Sequence, residues 1–447
     1  MSEKNKRKKF IIDTSVLLYD ASCMKNFRGN DIILPLIVLE EIDKFKSKEG
    51  ILGENAREMN RFLDELRMHG SLSNGIYIKE HDINISVSLN YDFDNLLFIK
   101  ENNDNWIIAC ANWHIKNDEQ STIKIITKDI NLRVKCDSVN IKADDYFADY
   151  INIKKEQDGL YQGHIEVTVD IDIINSLYKN HSLRVEHLEL DYDLYENQFL
   201  TLKTEFGQSA LAVRKNKDIV LIQSKSETFK TGIIYHSSET ITPKNKEQSF
   251  ALHLLKDESI PLVTLTGVPG SGKTFLTLMS ALNEIEHKRK NRIIFTRPIQ
   301  TVGKDIGFLP GTLNEKMAPW LAPIVDNFRN QFGDLSYFEL MMEKGIIDVA
   351  PLSYIRGRSF NDSIIIVDEA QNATVHELKT VITRTGKNSK IVLLGDVEQI
   401  DLPYVNKFSN GLTIIIEKLK DAHLTGHINF TKGYRSELAN LVAEKLN

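Results

Sequence analysis

Two sets of residues in this chain have the types and spacing to do chemistry. The first is a contiguous string, Gly267-Val268-Pro269-Gly270-Ser271-Gly272-Lys273-Thr274, which fits the pattern G-x-x-x-x-G-K-T. Its glycines let backbone N–H groups close around phosphate oxygens, and a helix start behind them adds its positive dipole end. Lys273 then reaches the β- and γ-phosphates, the Thr274 hydroxyl sits on Mg²⁺, and the backbone through Phe275 completes the cradle. The second set is dispersed and acidic: Asp13, Glu41 with Glu40 beside it, Asp104 and Asp129. Carboxylates drawn to one place repel one another unless divalent cations lie between them, which is the arrangement of a metal-dependent phosphodiesterase. Each acid taken singly has a plainer reading as a solvated chain end, and Asp13 and Asp129 as turn caps.

Positioning these groups requires particular elements. Leu262–Thr266 is short, apolar and β-branched, as a buried parallel strand should be, and residues 275 to about 286 have helical periodicity. Strand, glycine loop and helix are the context that gives the string its mechanism. Ile364–Val367 reads as a second buried strand that delivers Asp368 and Glu369 to the carboxyl edge of a sheet. Asp368 is expected to hold the Mg²⁺ shell and Glu369 to polarise the attacking water. A third strand, Lys390–Leu394, ends in Gly395-Asp396-Val397-Glu398-Gln399, where Gln399 is placed to sense the γ-phosphate and Asp396 to steady it. Arg435 is a candidate arginine finger, acting in cis or from a neighbouring subunit.

The acids have their own carriers. Strand Phe10–Ile12 delivers Asp13, and Pro35 opens a helix bearing Glu40 and Glu41. Asp104 stands before a helix that begins near Asn105, and strand Ile123–Ile126 runs into Thr127-Lys128-Asp129. Such positions converge on the carboxyl edge of one parallel sheet.

The length of 447 residues allows two or three domains. Character changes along the chain divide it into an α/β domain at 1–149, a small β-rich segment at 150–239 and a second α/β domain at 240–447. A net charge of −6 means that any nucleic acid must meet local basic patches and not a globally basic surface. Cys23, Cys110 and Cys136 form no C-x-x-C pair, which fits a reducing compartment. The lysine-rich start and Phe10-Ile11-Ile12 resemble a signal peptide only until Asp13 breaks the run. No apolar stretch approaches the ~18 residues of a membrane span, so a cytoplasmic protein without membrane contact is expected.

Residues 240–447 resemble the PhoH family of ATPases. The resemblance rests on Pro243–Gln248, the glycine loop, Thr296-Arg297-Pro298, Tyr354–Ser359, Asp368–Asn372, Gly395–Asp401 and Ser409–Leu412. It implies a P-loop NTPase fold similar to superfamily 1 helicase cores, with Gln248 reading the adenine edge and Arg297 near nucleic acid or the phosphates. Tyr434 departs from the acidic residue usual there.

Residues Ile12–Leu17, Pro35–Ile42 and Thr127–Leu132 resemble a PIN domain, a metal-dependent ribonuclease fold of three α/β layers. That resemblance makes Asp13 and Asp129 metal-site residues and favours Glu41 over Glu40. At the third position the family carries Asp directly before the large aliphatic helix start, whereas this chain has Asn105 there and Asp104 one residue earlier.

PIN followed by PhoH is the arrangement of the PhoH2 family. It implies an ATP-driven RNA helicase coupled to an endoribonuclease, using ATP and Mg²⁺ at one site and Mg²⁺ or Mn²⁺ at the other. RNA is the expected partner, contacted by Arg297, Lys304, Arg356, Arg358, Arg384, Lys128 and Arg133, and a hexameric ring is the expected assembly. Two alternatives stay open: an RNA-stimulated ATPase whose PIN domain only binds RNA, and a protein-remodelling ATPase.

Overall fold

The computed structural model describes residues 7–48, 51–94, 102–118, 120–146, 159–222, 227–230, 238–298, 325–326, 328–329, 335–355, 358–401 and 405–434. The chain divides into two compact units, Met1–Tyr150 and Ile151–Asn447.

The first unit is built on isoleucine-rich strands: β1 (Lys9–Ile12), β2 (Asp31–Pro35), β3 (Ile76–Ile78), β4 (Ile83–Ser88), β5 (Ile123–Ile126) and β6 (Ala143–Asp144). They form one sheet in the order β3-β4-β2-β1-β5-β6. All neighbours are parallel except β3 and β4. Ile11, Ile12, Ile32, Ile33, Ile125 and Ile126 are buried, as expected of strands covered on both faces. The covering helices include α1 (Thr14–Tyr19), α2 (Leu36–Phe45), α3 (Ile51–Arg67), α4 (Asn103–Asn117) and α5 (Ile130–Ser138). Central β1 lies beside β5 with Ile12 opposite Ile126, so Asp13 and Thr127 leave the sheet side by side.

Helix α4 starts earlier than the apolar pattern suggests. Asn102 is its N-cap, with the side chain accepting from Asp104 N at 2.9 Å, so Asp104 lies inside the first turn and not before the helix. A capping asparagine outweighs the onset of hydrophobic periodicity in fixing a helix end.

The second unit carries two main sheets. Strands β7 (His164–Thr168), β8 (Ser182–Arg184), β9 (Phe199–Lys203), β10 (Ser209–Lys215) and β11 (Asp218–Leu221) pair in the order β7-β9-β10-β11-β8, and α6 (Ile171–Asn180) accompanies them. A separate hairpin joins β12 (Glu227–Lys230) to β13 (Ser238–Ile241). One core of the five-stranded sheet is its own, with Leu200, Leu202, Ala212 and Ile219 against Ile174 and Leu177. From the other face Phe199, Val213 and Ile222 enter the core of the larger sheet, where the Phe199 and Phe250 rings stack with centroids 4.7 Å apart.

The larger sheet comprises β14 (Leu262–Gly267), β15 (Arg292–Arg297), β16 (Ile347–Pro351), β17 (Ser363–Val367), β18 (Lys390–Gly395) and β19 (Thr425–Phe430). Its order is β16-β15-β17-β18-β14-β19, with every pair parallel. Every residue of β14, β17 and β18 is buried. Helices α7 (Lys246–Lys256) and α8 (Lys273–Glu286) flank β14 in sequence. Because β17, β18 and β14 are adjacent, the segments following all three open at one edge. Among the described residues no helix is long and apolar enough to cross a membrane.

Candidate functional site

The glycine loop joins β14 to α8, and its conformation explains its composition. Gly267 has φ of +123°, and a Cβ there would lie 2.1 Å from Phe430 O. Gly272, the N-cap of α8, has φ of +95°. Both conformations exclude ordinary L side chains. The loop is fastened to the chain after β19, with Val268 N donating to Phe430 O at 3.2 Å and Tyr434 N to Gly270 O at 3.0 Å. Buried Glu247 secures that segment by accepting from Thr431 N (3.2 Å) and Thr431 Oγ1 (2.7 Å).

Lys273 and Thr274 are the first two residues of α8. The Lys273 ammonium donates to the Gly267 and Val268 carbonyls at 2.6 and 3.0 Å, folded over its own loop where phosphate oxygens would compete for it. Gln248 is buried behind the loop: Nε2 donates to Ser271 O at 3.0 Å and Oε1 accepts from Lys244 N at 2.8 Å. Its amide therefore braces the loop, with both polar ends engaged by protein groups. Arg435 lies outside the described residues; its predecessor Tyr434 is bonded to the loop of the same chain.

Asp368 follows β17 and is buried, and burial raises its carboxyl to about 6. The charge of Glu369 adds to the rise, while Arg297 and Lys273 oppose it. Glu369 adopts a left-handed φ of +52°, a conformation that costs a non-glycine residue roughly 1–2 kcal/mol. Its carboxylate accepts from Gln371 Nε2 at 2.6 Å and faces Arg297 Nη2 at 3.4 Å. Asp396, after β18, is also raised by burial, with Lys273 pulling it back and the charges of Glu398 and Glu369 pushing it up. Asp368 and Asp396 thus both lie in the fields of Glu369 and Lys273, a donor chemistry that suits a nucleotide-bound Mg²⁺, although no three acids are gathered here among the described residues.

Gln371 has no role in the sequence reading, yet it joins this edge together. It is fully buried; Nε2 donates to Glu369 and to Gln399 O at 2.8 Å, and Oε1 accepts from Asp396 N at 3.1 Å. One amide thus spans the segments after β17 and β18. The clue in sequence is a glutamine two residues beyond the acids, but its partners follow only from strand adjacency. The side chain of Gln399 is exposed.

In the first unit, Asp13 is 5% exposed. Its Oδ2 accepts from Ser15 Oγ and from Thr127 Oγ1, the latter at 2.5 Å. Burial raises the Asp13 carboxyl to about 6, the two hydroxyls counter this, and the charges of Glu41 and Asp104 add to it. Glu41 accepts from Thr14 Oγ1 and, at 2.6 Å, from Asn103 Nδ2, while Asp104 pairs with Lys135 Nζ at 2.7 Å. Asp129 caps α5, accepting from Asn131 N (2.7 Å) and Leu132 N (3.4 Å). Asp13 therefore lies in the fields of Glu41 and Asp104, while Asp129 caps its own helix.

A divalent cation would relieve the strain of a buried carboxylate beside like charges, so the chemistry of the donors fits Mg²⁺ or Mn²⁺. Their spacing fits less well. Among the described residues no group of three or more His, Cys, Asp or Glu side chains is gathered as a metal site. Asn105, buried in the first turn of α4, contributes no charge.

The expected RNA contacts divide. Lys128 is not available as one: it is 6% exposed, pairs with Asp145 at 3.1 Å and lies over the Tyr19 ring. A lysine beside strand residues Ile125 and Ile126 was drawn inward because β6 and its flank supply Asp145. Arg133 donates to Thr127 O at 2.8 Å, and Arg358 pairs with Asp348 at 2.7 Å and lies over Phe360. Arg384 bonds weakly to Arg358 O at 3.5 Å. Lys304 and Arg356 lie outside the described residues.

Comparison with known proteins divides the chain in the same place. Residues 10–147 match the family model for the PIN domain, and residues 240–446 match that for PhoH-like protein. A curated relative, Protein PhoH2 of Bacillus subtilis, is 37% identical over 98% of this chain and 99% of its own length. Protein PhoH2 of Thermobispora bispora is 32% identical over 100% of this chain and 98% of its own. Protein PhoH2 of Mycolicibacterium smegmatis is 32% identical over 98% and 96%.

Proposed function

This chain belongs to the PhoH2 family, with a PIN domain before a PhoH-type P-loop NTPase domain in an α/β fold, and from that premise we propose an ATP-driven RNA helicase coupled to a metal-dependent endoribonuclease. The carrying observation is that each domain leaves a buried aspartate, Asp13 or Asp368, at the carboxyl end of a parallel strand with its carboxyl raised to about 6. Such buried carboxylates, ionised once a cation is bound, are suitable ligands for cation-assisted phosphate chemistry.

At the ATP site, residues 267–275 wrap the phosphates and Lys273 leaves its carbonyls for the β- and γ-phosphate oxygens. Mg²⁺, held by Thr274 and Asp368, would neutralise the developing phosphate charge. Glu369 polarises the attacking water, Gln399 senses the γ-phosphate, and Gln248 steadies the loop beside the adenine. Arg435 supplies positive charge at the transferring phosphoryl group, within a homo-oligomeric ring of six subunits.

At the second site Asp13, Glu41, Asp104 and Asp129 would hold Mg²⁺ or Mn²⁺, which would activate water against an RNA phosphodiester. Ser15 and Thr127 keep the Asp13 carboxylate oriented. Residues 1–149, 150–239 and 240–447 are assigned as nuclease domain, small β domain and motor, and the protein acts in the cytoplasm.

The test follows a labelled RNA bearing a duplex and a single-stranded tail, with Mg²⁺ or Mn²⁺ and with or without ATP. Wild type should open and cut it; Asp13→Asn should lose only cleavage, and Lys273→Ala only ATP-dependent opening. No cleavage under either metal with RNA-stimulated ATP hydrolysis intact would leave a motor with an RNA-binding PIN domain. The neutral Asn105 and the Asp104–Lys135 pair favour that second reading. ATP turnover unaffected by RNA would instead indicate a protein-remodelling ATPase.

A further inference from the structure

We propose that Lys135 is a built-in counter-cation of the acidic site, holding the Asp104 carboxylate and competing with the divalent cation, so that the site binds metal weakly until the ammonium is displaced. The inference rests on the reading of these acids as a metal site.

Of the four acids, Asp129 caps α5, and the other three are held differently. Asp13 and Glu41 are satisfied by neutral donors: the Ser15 and Thr127 hydroxyls for one, the Thr14 hydroxyl and the Asn103 amide for the other. Asp104 has a full positive charge against it, with Lys135 Nζ at 2.7 Å. Two other cations near the site are directed elsewhere, Lys128 to Asp145 and Arg133 to Asp145 and Thr127 O.

The lysine reaches this place because α5 is fixed at both ends. Asp129 caps its start, and Leu132 and Cys136 are buried beneath it. Cys136 lies against the same cluster. Burial raises its thiol to about 12, the charges of Asp13 and Asp104 add to the rise, and Lys135 opposes them. Lys135 therefore pairs with Asp104 on the same face where Cys136 feels the charges of Asp13 and Asp104.

The chemistry follows from charge. A hard divalent cation takes oxygen ligands and is bound more tightly as their negative charge rises. Here the helix position occupied by Asn105 is neutral, and the neighbouring carboxylate is already compensated. An ammonium left near an incoming dication repels it, while moving that ammonium aside breaks the contact with Asp104. The Lys135 and Asp104 side chains are 31% and 29% exposed, so the pair is weak enough to open and is screened by salt. Removing the positive charge should tighten metal binding about tenfold, the effect of a modest Coulomb term at an effective dielectric near 20.

The experiment measures Mn²⁺ binding to the full chain by the electron paramagnetic resonance signal of the free ion, without nucleotide and at low salt. Lys135→Met and Lys135→Gln, both checked for native circular dichroism, should bind about tenfold more tightly than wild type, and Lys135→Arg should not. Adding Asp13→Asn to Lys135→Met should remove the gain. Affinity equal to or below wild type in both neutral variants, or a gain that survives Asp13→Asn, would overturn the role of Lys135. If wild type still cuts RNA with Mn²⁺ in that case, the metal-site reading stands without it. No Mn²⁺ bound by any variant, with no cleavage, overturns both.

Discussion

Asp13 and Asp368 occupy equivalent places in two unrelated sequences of strand, turn and helix. Each directly follows an isoleucine-rich parallel strand, and each carboxyl is raised to about 6, chiefly by burial. Their surroundings differ. Around Asp368 the opposing cations are Lys273 and Arg297, which are groups that phosphate can recruit. Around Asp13 the close partners are hydroxyls, and the cation in the cluster is attached to Asp104. Under the proposed function the first would receive an anionic ligand that brings its own metal. On the same reading the second would have to collect its own metal, and among the described residues no three acids are gathered to hold one.

The largest effects should separate the two sites. Lys273→Ala should reduce ATP hydrolysis at least about a hundredfold, as loss of a charge-stabilising donor does. RNA cleavage in Mn²⁺ without ATP should persist in that variant. Asp13→Asn should do the reverse in the same two assays. If either substitution abolishes both activities, the sites are not independent and the contrast fails.

Gly267→Ala tests the backbone-built character of the ATP site. The new Cβ meets Phe430 O at 2.1 Å in a left-handed conformation, so a loss of roughly 2–4 kcal/mol is expected in urea unfolding, with nucleotide binding lost as well. Near-wild-type stability and binding would show that the loop has room to relax.

Metal-free stability sharpens the view of Asp13. Its folded-state value of about 6 lies above the ordinary 3.8, so its contribution is most favourable when protonated. Stability should fall as pH rises from about 4 through about 6, by roughly 2–3 kcal/mol for this fully buried group. Asp13→Asn keeps acceptors for both hydroxyls and should flatten that dependence, leaving the variant more stable than wild type at pH 7.5 without metal. Parallel urea midpoints across this range would mean that the carboxylate is better solvated than its burial implies.

The smallest expected effect concerns the link between the segments after β17 and β18. Gln371→Ala should lower kcat for ATP about tenfold with little change in KM, because it misplaces Glu369 without touching the phosphates. Gln371→Glu should do worse, setting a like charge against Glu369. A change confined to KM would place Gln371 in nucleotide binding instead.

How legible these features were depends on how local they are. The strand running into Thr127, Ile123–Ile126, matches expectation residue for residue, and the strand beneath Asp13 begins one residue earlier than expected, because isoleucine runs bounded by polar residues leave little choice of period. The start of α4 was misplaced by two residues because Asn102, and not the first large aliphatic residue, ends the preceding chain. Lys128 looked like a basic contact beside an acid and is buried instead, since the charge that accepts it lies beyond β6.

The strand, glycine loop and helix of residues 262–286 were legible in the sequence, because backbone conformation and local hydrophobic period are properties of a residue and its immediate neighbours. Tertiary structure alone decided which acids share a field, that Gln371 spans two segments and that Lys135 faces Asp104. Those contacts join positions far apart in the chain, and only the adjacency of strands and the docking of helices on their edges bring them within hydrogen-bonding distance.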